Sequence, residues 1–323
     1  MDQELKRKQG RFAPSPSGRM HLGNAWTALL AWLDIRKCGG TMVLRMEDLD
    51  PDRSRSEYAS GLMEDLRWLG LDWDEGPDVG GPFAPYNQSE RSDRYQAAFD
   101  KLMQGGLLYP CFCSRAELHS VASAPHAGDV ELPYSGRCEQ LDSRTMAKFR
   151  EQGRKPAFRL RVRDTVVEFT DGVYGPQNQA LQQACGDFVI RRSDGIFAYQ
   201  LAVVVDDATM GIDRVLRGAD LLSSTSRQIY LWRLLGVKPP DFSHVPLLVG
   251  SDGGRLSKRH GSLAIAALRD TGVKAEQIIG RLASWAGLID RAEPVRAQEL
   301  IHLFELSRLP RDPVIVAEPL NFE

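Results

Sequence analysis

Apolar residues return at helical spacing through LGNAWTALLAWLDIRKC. Leu22, Ala25, Trp26, Leu29, Leu30 and Leu33 share one face, and Gly39-Gly40 supplies the stop, so a helix is predicted over 22–38. TMVLRMED (41–48) then reads as a strand ending in acids. Helices follow over 54–69, with Leu62, Leu66 and Leu69 on one side and Gly70 as the stop, and from Ser89 to Gln104, closed by Gly105-Gly106. Strand and helix alternate, which predicts an α/β fold with a parallel sheet. The alternation breaks near residue 110. Short β-like runs at 157–164 and 166–171 read as an insertion. The pattern resumes at 187 with DFVIRR, a helix through TSRQIYLWRLLG, and a strand candidate VPLLVG at 245–250. Residues 262 to about 305 read mainly helical.

The junction between the first strand and the first helix is the unusual part of this pattern. RFAPSPSGRMHLGN (11–24) puts two prolines where a strand would otherwise continue, and prolines cannot extend a ladder. Gly18 and Gly23 allow a bend or the close approach of a ligand. The N–H groups at a helix start attract anions, so the stretch reads as a phosphate cradle. It is not a Walker A loop, since GxxxxGK[ST] is absent.

Composition narrows the class without changing the picture. The chain has 323 residues, enough for about two domains. Hydrophobic residues make up 42% and charged residues 26%, values of an ordinary globular protein. The net charge of −2 gives no global basic field, so any contact with RNA must come from local patches. MDQELKRKQG (1–10) reads as a flexible tail rather than a signal peptide, and no apolar run reaches the roughly 18 residues that span a bilayer. A cytoplasmic enzyme with no membrane partner is the expectation, as a monomer. Residues 144–163 carry Arg144, Lys148, Arg150, Arg154, Lys155, Arg159, Arg161 and Arg163, with Asp164 and Asp171 just beyond. They suit phosphate tracking, or equally a solvated basic face.

Five cysteines are an odd number for a disulfide framework. Cys111, Cys113 and Cys138 cluster and suggest a metal in a reducing compartment; Cys38 and Cys185 stand alone. Tetrahedral Zn²⁺ takes four ligands. The residues leave Tyr134, His119 and His126 open as the fourth, and three metal-free thiols as the plainer alternative.

PSPSGRMHLGN, read with RLSKR at 255–259, resembles the paired HIGH and KMSKS signatures of the class I aminoacyl-tRNA synthetases. LRMEDLD (44–50), QSER (88–91), YQLAVVVDDATMGIDRVLRGAD (199–220) and VPLLVG are similar to the glutamyl branch, in its order, over nearly all of residues 10–290. The resemblance implies a Rossmann-like catalytic domain in halves at 11–110 and 187–260, a zinc-binding insertion at 111–186, and a helical stem-contact segment at 261–323. It implies activation of L-glutamate by ATP with Mg²⁺, with His21 and Lys258 catalytic. His21, Gly23 and Lys258 would meet ATP: an imidazole N–H and a lysine point charge suit phosphate oxygens. Phe12, Ala13, Pro14 and Ser15 would line the glutamate along the backbone with Tyr199. Arg11 and Arg217 would take its carboxylate, and Glu47 its ammonium. Asn24 stands where the family's second histidine is expected. The family's CxC followed by YxxxC is matched by Cys111, Cys113, Tyr134 and Cys138, implying Tyr134 as the fourth ligand of one structural zinc. Taken singly, His21 could cap a helix, RLSKR could be a solvated loop, and Glu47 or Arg217 could sit in an ion pair.

Departures point within the branch. RGAD (217–220) replaces RGED, STS (224–226) replaces NTP, and 64 residues follow Arg259, where a helical stem-contact segment is expected to fit and a full anticodon-binding domain hardly does. These resemble the short glutamyl-queuosine tRNA(Asp) synthetases, which attach glutamate to queuosine in the anticodon loop of tRNA(Asp). A truncated glutamyl-tRNA synthetase charging a 3′ end, and a non-catalytic synthetase-like RNA-binding protein, are the alternatives.

Overall fold

The computed structural model describes residues 8–114, 133–254, 264–316 and 320. In chain order they form β1 (Gln9–Phe12), α1 (Leu22–Lys37), β2 (Thr41–Leu44), α2 (Ser56–Trp68), α3 (Ser92–Gln104), β3 (Leu108–Cys111), α4 (Ser143–Glu151), β4 (Ala157–Leu160), β5 (Val166–Asp171), β6 (Gly175–Ala180) and α5 (Leu181–Ala184). Then come β7 (Phe188–Arg191), α6 (Tyr199–Thr209), β8 (Arg214–Gly218), α7 (Leu222–Leu234), β9 (Asp241–Val245), β10 (Leu248–Val249), α8 (Ile265–Asp270), α9 (Ala275–Trp285) and β11 (Val314–Ile315). Short 3₁₀ turns lie at Gln88–Glu90, Ala219–Leu221, Ala297–Leu303 and Leu306–Arg308.

The central sheet has the order β2-β1-β8-β9, all parallel. The chain leaves β1 toward one edge through α1 and β2, and leaves β8 toward the other through α7 and β9. The order reverses between β1 and β8, and ligands of open α/β sheets bind in the crevice beyond the carboxyl ends of such strands. Pleating divides the side chains between two cores. Met42, Leu44 and Leu216 face a cluster with α1, α2, α9 and the Ala297–Leu303 turn; Val43 and Val215 face one with α3, α6 and α7.

The first helix ends within a residue of its expected bounds, but it is not amphipathic. Leu22, Ala25, Trp26, Ala28, Leu29, Leu30, Ala31, Trp32, Leu33 and Ile35 are all buried, because sheet and C-terminal segment cover it from both sides. It packs so closely that a Cβ on Gly10 would lie 2.2 Å from the Ile35 side chain.

Several expectations change. Gln9 and Gly10, assigned to the tail, are strand residues, and Thr41 N–H donates to the Lys8 carbonyl. The strand expected over 41–48 ends at Leu44. DFVIRR pairs antiparallel with β4 in a separate β3-β4-β7 sheet rather than joining the parallel one. β5 and β6 form their own hairpin. Beyond α9 the chain runs in 3₁₀ turns instead of the expected α-helix, with Pro294 breaking the run.

Candidate active site

A cavity of about 530 Å³ opens at the carboxyl ends of β1 and β8. Arg11, Phe12, Ala13, Pro14 and Ser15 come to it from β1 and the following loop. His21 and Gly23 come from the start of α1, Glu47 from beyond β2, Tyr199 from the start of α6, and Arg217 from β8; all ten line this one cavity. Asn24, Thr27, Asp220 and Leu248 complete parts of the wall. Lys258 and the rest of RLSKR lie outside the described residues.

One wall is an ion-pair network. Arg45, fully buried, donates from Nη1 to Asp207 at 2.7 Å and from Nη2 to Glu47 at 3.1 Å, with Asp206 3.7 Å from Nε. Arg11 Nε lies 3.4 Å from the same Asp207 oxygen. Burial disfavours the Arg45 charge, but Asp207, Asp206 and Glu47 outweigh it and raise its pKa. Burial likewise pushes Asp207 up, and Arg45 and Arg11 overcome this to hold it below the usual carboxylate range. Glu47 is pushed up by burial despite Arg45 and Arg11. A cation beside Glu47 would relieve that penalty, which is the demand an ammonium ligand meets.

Arg217 sets the opposite demand. It is 3% exposed. Nε donates to His244 Nε2 at 3.0 Å and Nη2 to the Thr225 hydroxyl at 2.8 Å, while buried Nη1 has no partner among the described residues. Burial lowers its pKa, and the nearby Arg11 charge adds to the depression. Two guanidinium groups at one cavity, one with an unused donor, call for an anion, and a carboxylate matches the fork. Tyr199 stays a neutral phenol, its pKa raised by burial and by Glu47.

His21 precedes α1. Its backbone N–H donates to the Asn24 carboxamide oxygen at 3.4 Å, and among the described residues its Nδ1 has no partner. Burial lowers its pKa, so the ring is neutral at pH 7 and keeps one nitrogen as a donor. Asn24, which stands at the second histidine's place, therefore caps the helix from which His21 reaches the cavity.

Sequence reasoning missed Arg45, Asp206, Asp207 and His244 as parts of the site, and it noted Asp171 only as an acid just beyond the basic run. Asp171 is 2% exposed and bonds His244. The available signal was polarity in the wrong place: two aspartates inside YQLAVVVDDA, and a histidine in the apolar strand before VPLLVG.

The second site is the cysteine cluster. The sulfurs of Cys111, Cys113 and Cys138 lie within 4.8 Å of one another, with Cys113 and Cys138 at 3.4 Å. Edges of about 3.8 Å belong to a tetrahedron with metal–sulfur bonds of about 2.3 Å. The Tyr134 hydroxyl is 3.4 Å from Cys111 and 3.6 Å from Cys113. Burial and the Cys138 and Cys111 sulfurs push the Cys113 thiol up to about 12 although the Tyr134 hydroxyl pulls the other way. Crowded thiols of this kind fit a cation between them. His119 and His126 lie outside the described residues.

The basic segment divides. Arg159 is buried, donates to the Asp187 carbonyl at 2.7 Å and stacks 3.8 Å from the Tyr134 ring. Arg161 pairs with Glu139, and Arg154 bonds the Phe112 carbonyl. These three brace the cysteine cluster. Arg144, Lys148, Arg150, Lys155 and Arg163 remain exposed.

The chain matches the family model for class I tRNA synthetases (E and Q), catalytic domain, over residues 9–318. A Glutamyl-Q tRNA(Asp) synthetase of Nitratidesulfovibrio vulgaris is 53% identical over 307 residues, spanning 95% of each chain. Another, of Symbiobacterium thermophilum, is 54% identical over 306 residues and 94% of each. Among solved structures, a glutamate tRNA ligase from Elizabethkingia meningosepticum, in complex with its amino acid, superposes with a TM-score of 0.82 at 28% identity, over 96% of this chain and 67% of that one. The sheet order, the cavity at its reversal and the match across almost the whole chain agree: this is an enzyme of the class I aminoacyl-tRNA synthetase family, in its glutamate and glutamine branch.

Proposed function

We propose that the chain activates L-glutamate with ATP and passes the glutamyl group to queuosine in tRNA(Asp). A glutamate carboxylate oxygen attacks the α-phosphorus, the bond to pyrophosphate breaks, and glutamyl adenylate remains. Queuosine then takes the acyl group and AMP leaves. The observation that carries the reading is Arg217, whose buried Nη1 has no partner among the described residues, in a wall shared with Arg11, Glu47 and Tyr199. In this reading the guanidinium groups hold the side-chain carboxylate, Glu47 holds the ammonium, and Tyr199 and the Phe12–Ser15 backbone shape the cleft. The remaining carboxylate is left to face the nucleotide. His21 and Gly23 meet the phosphates at the start of α1, where backbone N–H groups favour anions. Lys258 adds a mobile positive charge as the transition state gathers charge on phosphoryl oxygens. Mg²⁺ enters with ATP.

Cys111, Cys113, Cys138 and Tyr134 hold one structural zinc, which ties down the segment 111–186. Residues 11–110 and 187–260 act as the two halves of the catalytic domain, and 261–323 contacts the RNA stem. The acceptor assignment is supported by the names of the relatives at 53% and 54% identity. The protein works as a cytoplasmic monomer; among the described residues no helix is long and apolar enough to cross a membrane.

Labelled glutamate, ATP and Mg²⁺ incubated with tRNA(Asp), with and without queuosine, and with tRNA(Glu), test the reading. Label on queuosine-containing tRNA(Asp) alone is expected. Label on tRNA(Glu) would move the acceptor to a 3′ end, and absence of adenylate would remove the activity.

A further inference from the structure

We propose that Asp171 and His244 are positioning residues for the amino-acid pocket: Asp171 fixes the ring tautomer of His244, which in turn aims Arg217 and leaves its Nη1 for the substrate carboxylate. The inference rests on the glutamate-activating reading above and extends it to two residues outside the cavity wall.

The chain of contacts is continuous and buried. Asp171 ends β5, His244 lies on β9, and Arg217 lies on β8; they are 2%, 0% and 3% exposed. Asp171 Oδ2 is 2.6 Å from His244 Nδ1. Its other oxygen accepts the backbone N–H groups of Val173 at 3.0 Å, Tyr174 at 2.9 Å and His244 at 3.2 Å. Those donors keep the carboxyl ionised: burial raises its pKa, but the bonds from His244, Tyr174 and Val173 bring it below the ordinary value. A carboxylate only accepts, so Nδ1 must carry the proton and Nε2 must be the acceptor. Arg217 Nε–H donates to that Nε2 at 3.0 Å. Nη2 donates to the Thr225 hydroxyl at 2.8 Å and to the Leu221 carbonyl at 3.4 Å, and the hydroxyl, 3.1 Å from both the Leu221 carbonyl and His244 Nε2, gives its own proton to one of these acceptors. Phe242 stacks along both His244 and Arg217 and closes the layer. With Nε and Nη2 satisfied in fixed directions, only Nη1 is left over.

Asp171→Asn reads this logic directly. The backbone N–H groups on Oδ1 require the amide oxygen to stay there, which puts the amide N–H₂ against Nδ1. The ring must then switch to the Nε2–H tautomer: Nε2–H can turn only to the Thr225 hydroxyl, and Arg217 Nε–H, facing another donor, loses its acceptor. The guanidinium turns away and the pocket loses its aim. A residue that served folding alone would not produce this selectivity.

Histidine-¹⁵N NMR of the wild-type protein, which needs no activity, is expected to report the Nδ1–H tautomer at His244. In glutamate-dependent ATP–pyrophosphate exchange, Asp171→Asn is expected to raise KM for glutamate about tenfold or more and leave KM for ATP within about twofold. His244→Leu should do the same, while His244→Gln, whose amide oxygen can still accept from Arg217, should stay within about threefold of wild type. The histidine pair keeps the test open if the asparagine variant does not fold. An Nε2–H tautomer in the wild type, equal shifts in both KM values, or equal effects of Leu and Gln would overturn the proposal. A wild type that shows the expected tautomer but no glutamate-dependent exchange would remove the glutamate reading instead.

Discussion

Replacing Arg217 by alanine isolates the proposed carboxylate contact. Among the described residues the side chain bonds His244 through Nε and Thr225 and the Leu221 carbonyl through Nη2, and Nη1 is left unused. A hydrogen bond to a charged group contributes about 1.5–3 kcal/mol, and about 1.4 kcal/mol is a factor of ten. Loss of the Nη1 bond alone therefore predicts a rise in KM for glutamate of about 10- to 100-fold in ATP–pyrophosphate exchange. KM for ATP should stay within about twofold. Selectivity for glutamate over glutamine should fall, because the lost group discriminates by charge. Stability should change little: the lost bonds are offset by removal of a cation that burial and Arg11 already disfavour. A KM for glutamate within about threefold of wild type, with normal zinc content and melting temperature, would refute the assignment.

Three further outcomes follow from the geometry. His21 and His244 have pKa values lowered by burial, so as pH falls below 6.5 the unfolded chain takes up the proton before the folded protein does. Stability should therefore fall with pH below 6.5, by at most about 1.4 kcal/mol per unit per histidine. Asp65, pushed up to about 6 by burial, acts oppositely but equally in His21→Asn; that variant's urea midpoint should fall less between pH 7.5 and 5.5, and an unchanged slope would acquit His21. Elemental analysis should find one zinc per chain, lost to chelators with a drop in melting temperature, and Tyr134→Phe should bind it about tenfold or more weakly; metal-free protein of full stability would exclude the site. A Cβ on Gly280 would lie 1.8 Å from the Glu293 carbonyl oxygen, so Gly280→Ala should cost about 1–3 kcal/mol in urea unfolding without shifting KM for glutamate, and a neutral effect would mean the α9 contact is slack.

The parts of the site carried by contiguous motifs were legible. RFAPS and HLGN lie on one strand-to-helix junction, so their nearness needs no tertiary knowledge. Glu47 and Arg217 were legible as residue types, through the resemblance, but their neighbours were not. His244 sits in a short strand where a polar residue looks like surface. Asp171 follows a basic run with nothing local to mark it, and it is 73 residues from the histidine it bonds. Arg45 lies two residues from Glu47, and nothing local announces that its partners are Asp206 and Asp207 on α6. The sheet shows the same limit. Alternation revealed parallel strands, while the order β2-β1-β8-β9 and the separate pairing of β7 with β4 depend on contacts across the whole chain.

The neighbouring of β1 and β8 also sets a timetable. Arg11 meets Asp207 across 196 residues of sequence. At a translation rate of about 5–20 residues per second, the interval between their emergence from the ribosome is roughly 10–40 s. Through that interval the edge of β1 that later receives β8 is an open template for mispairing, and Arg45 has no counter-charge on α6. A nascent chain that stops short of Gly218 carries half a pocket, so a ligand of that cavity cannot assist its early folding and can stabilise only the finished core.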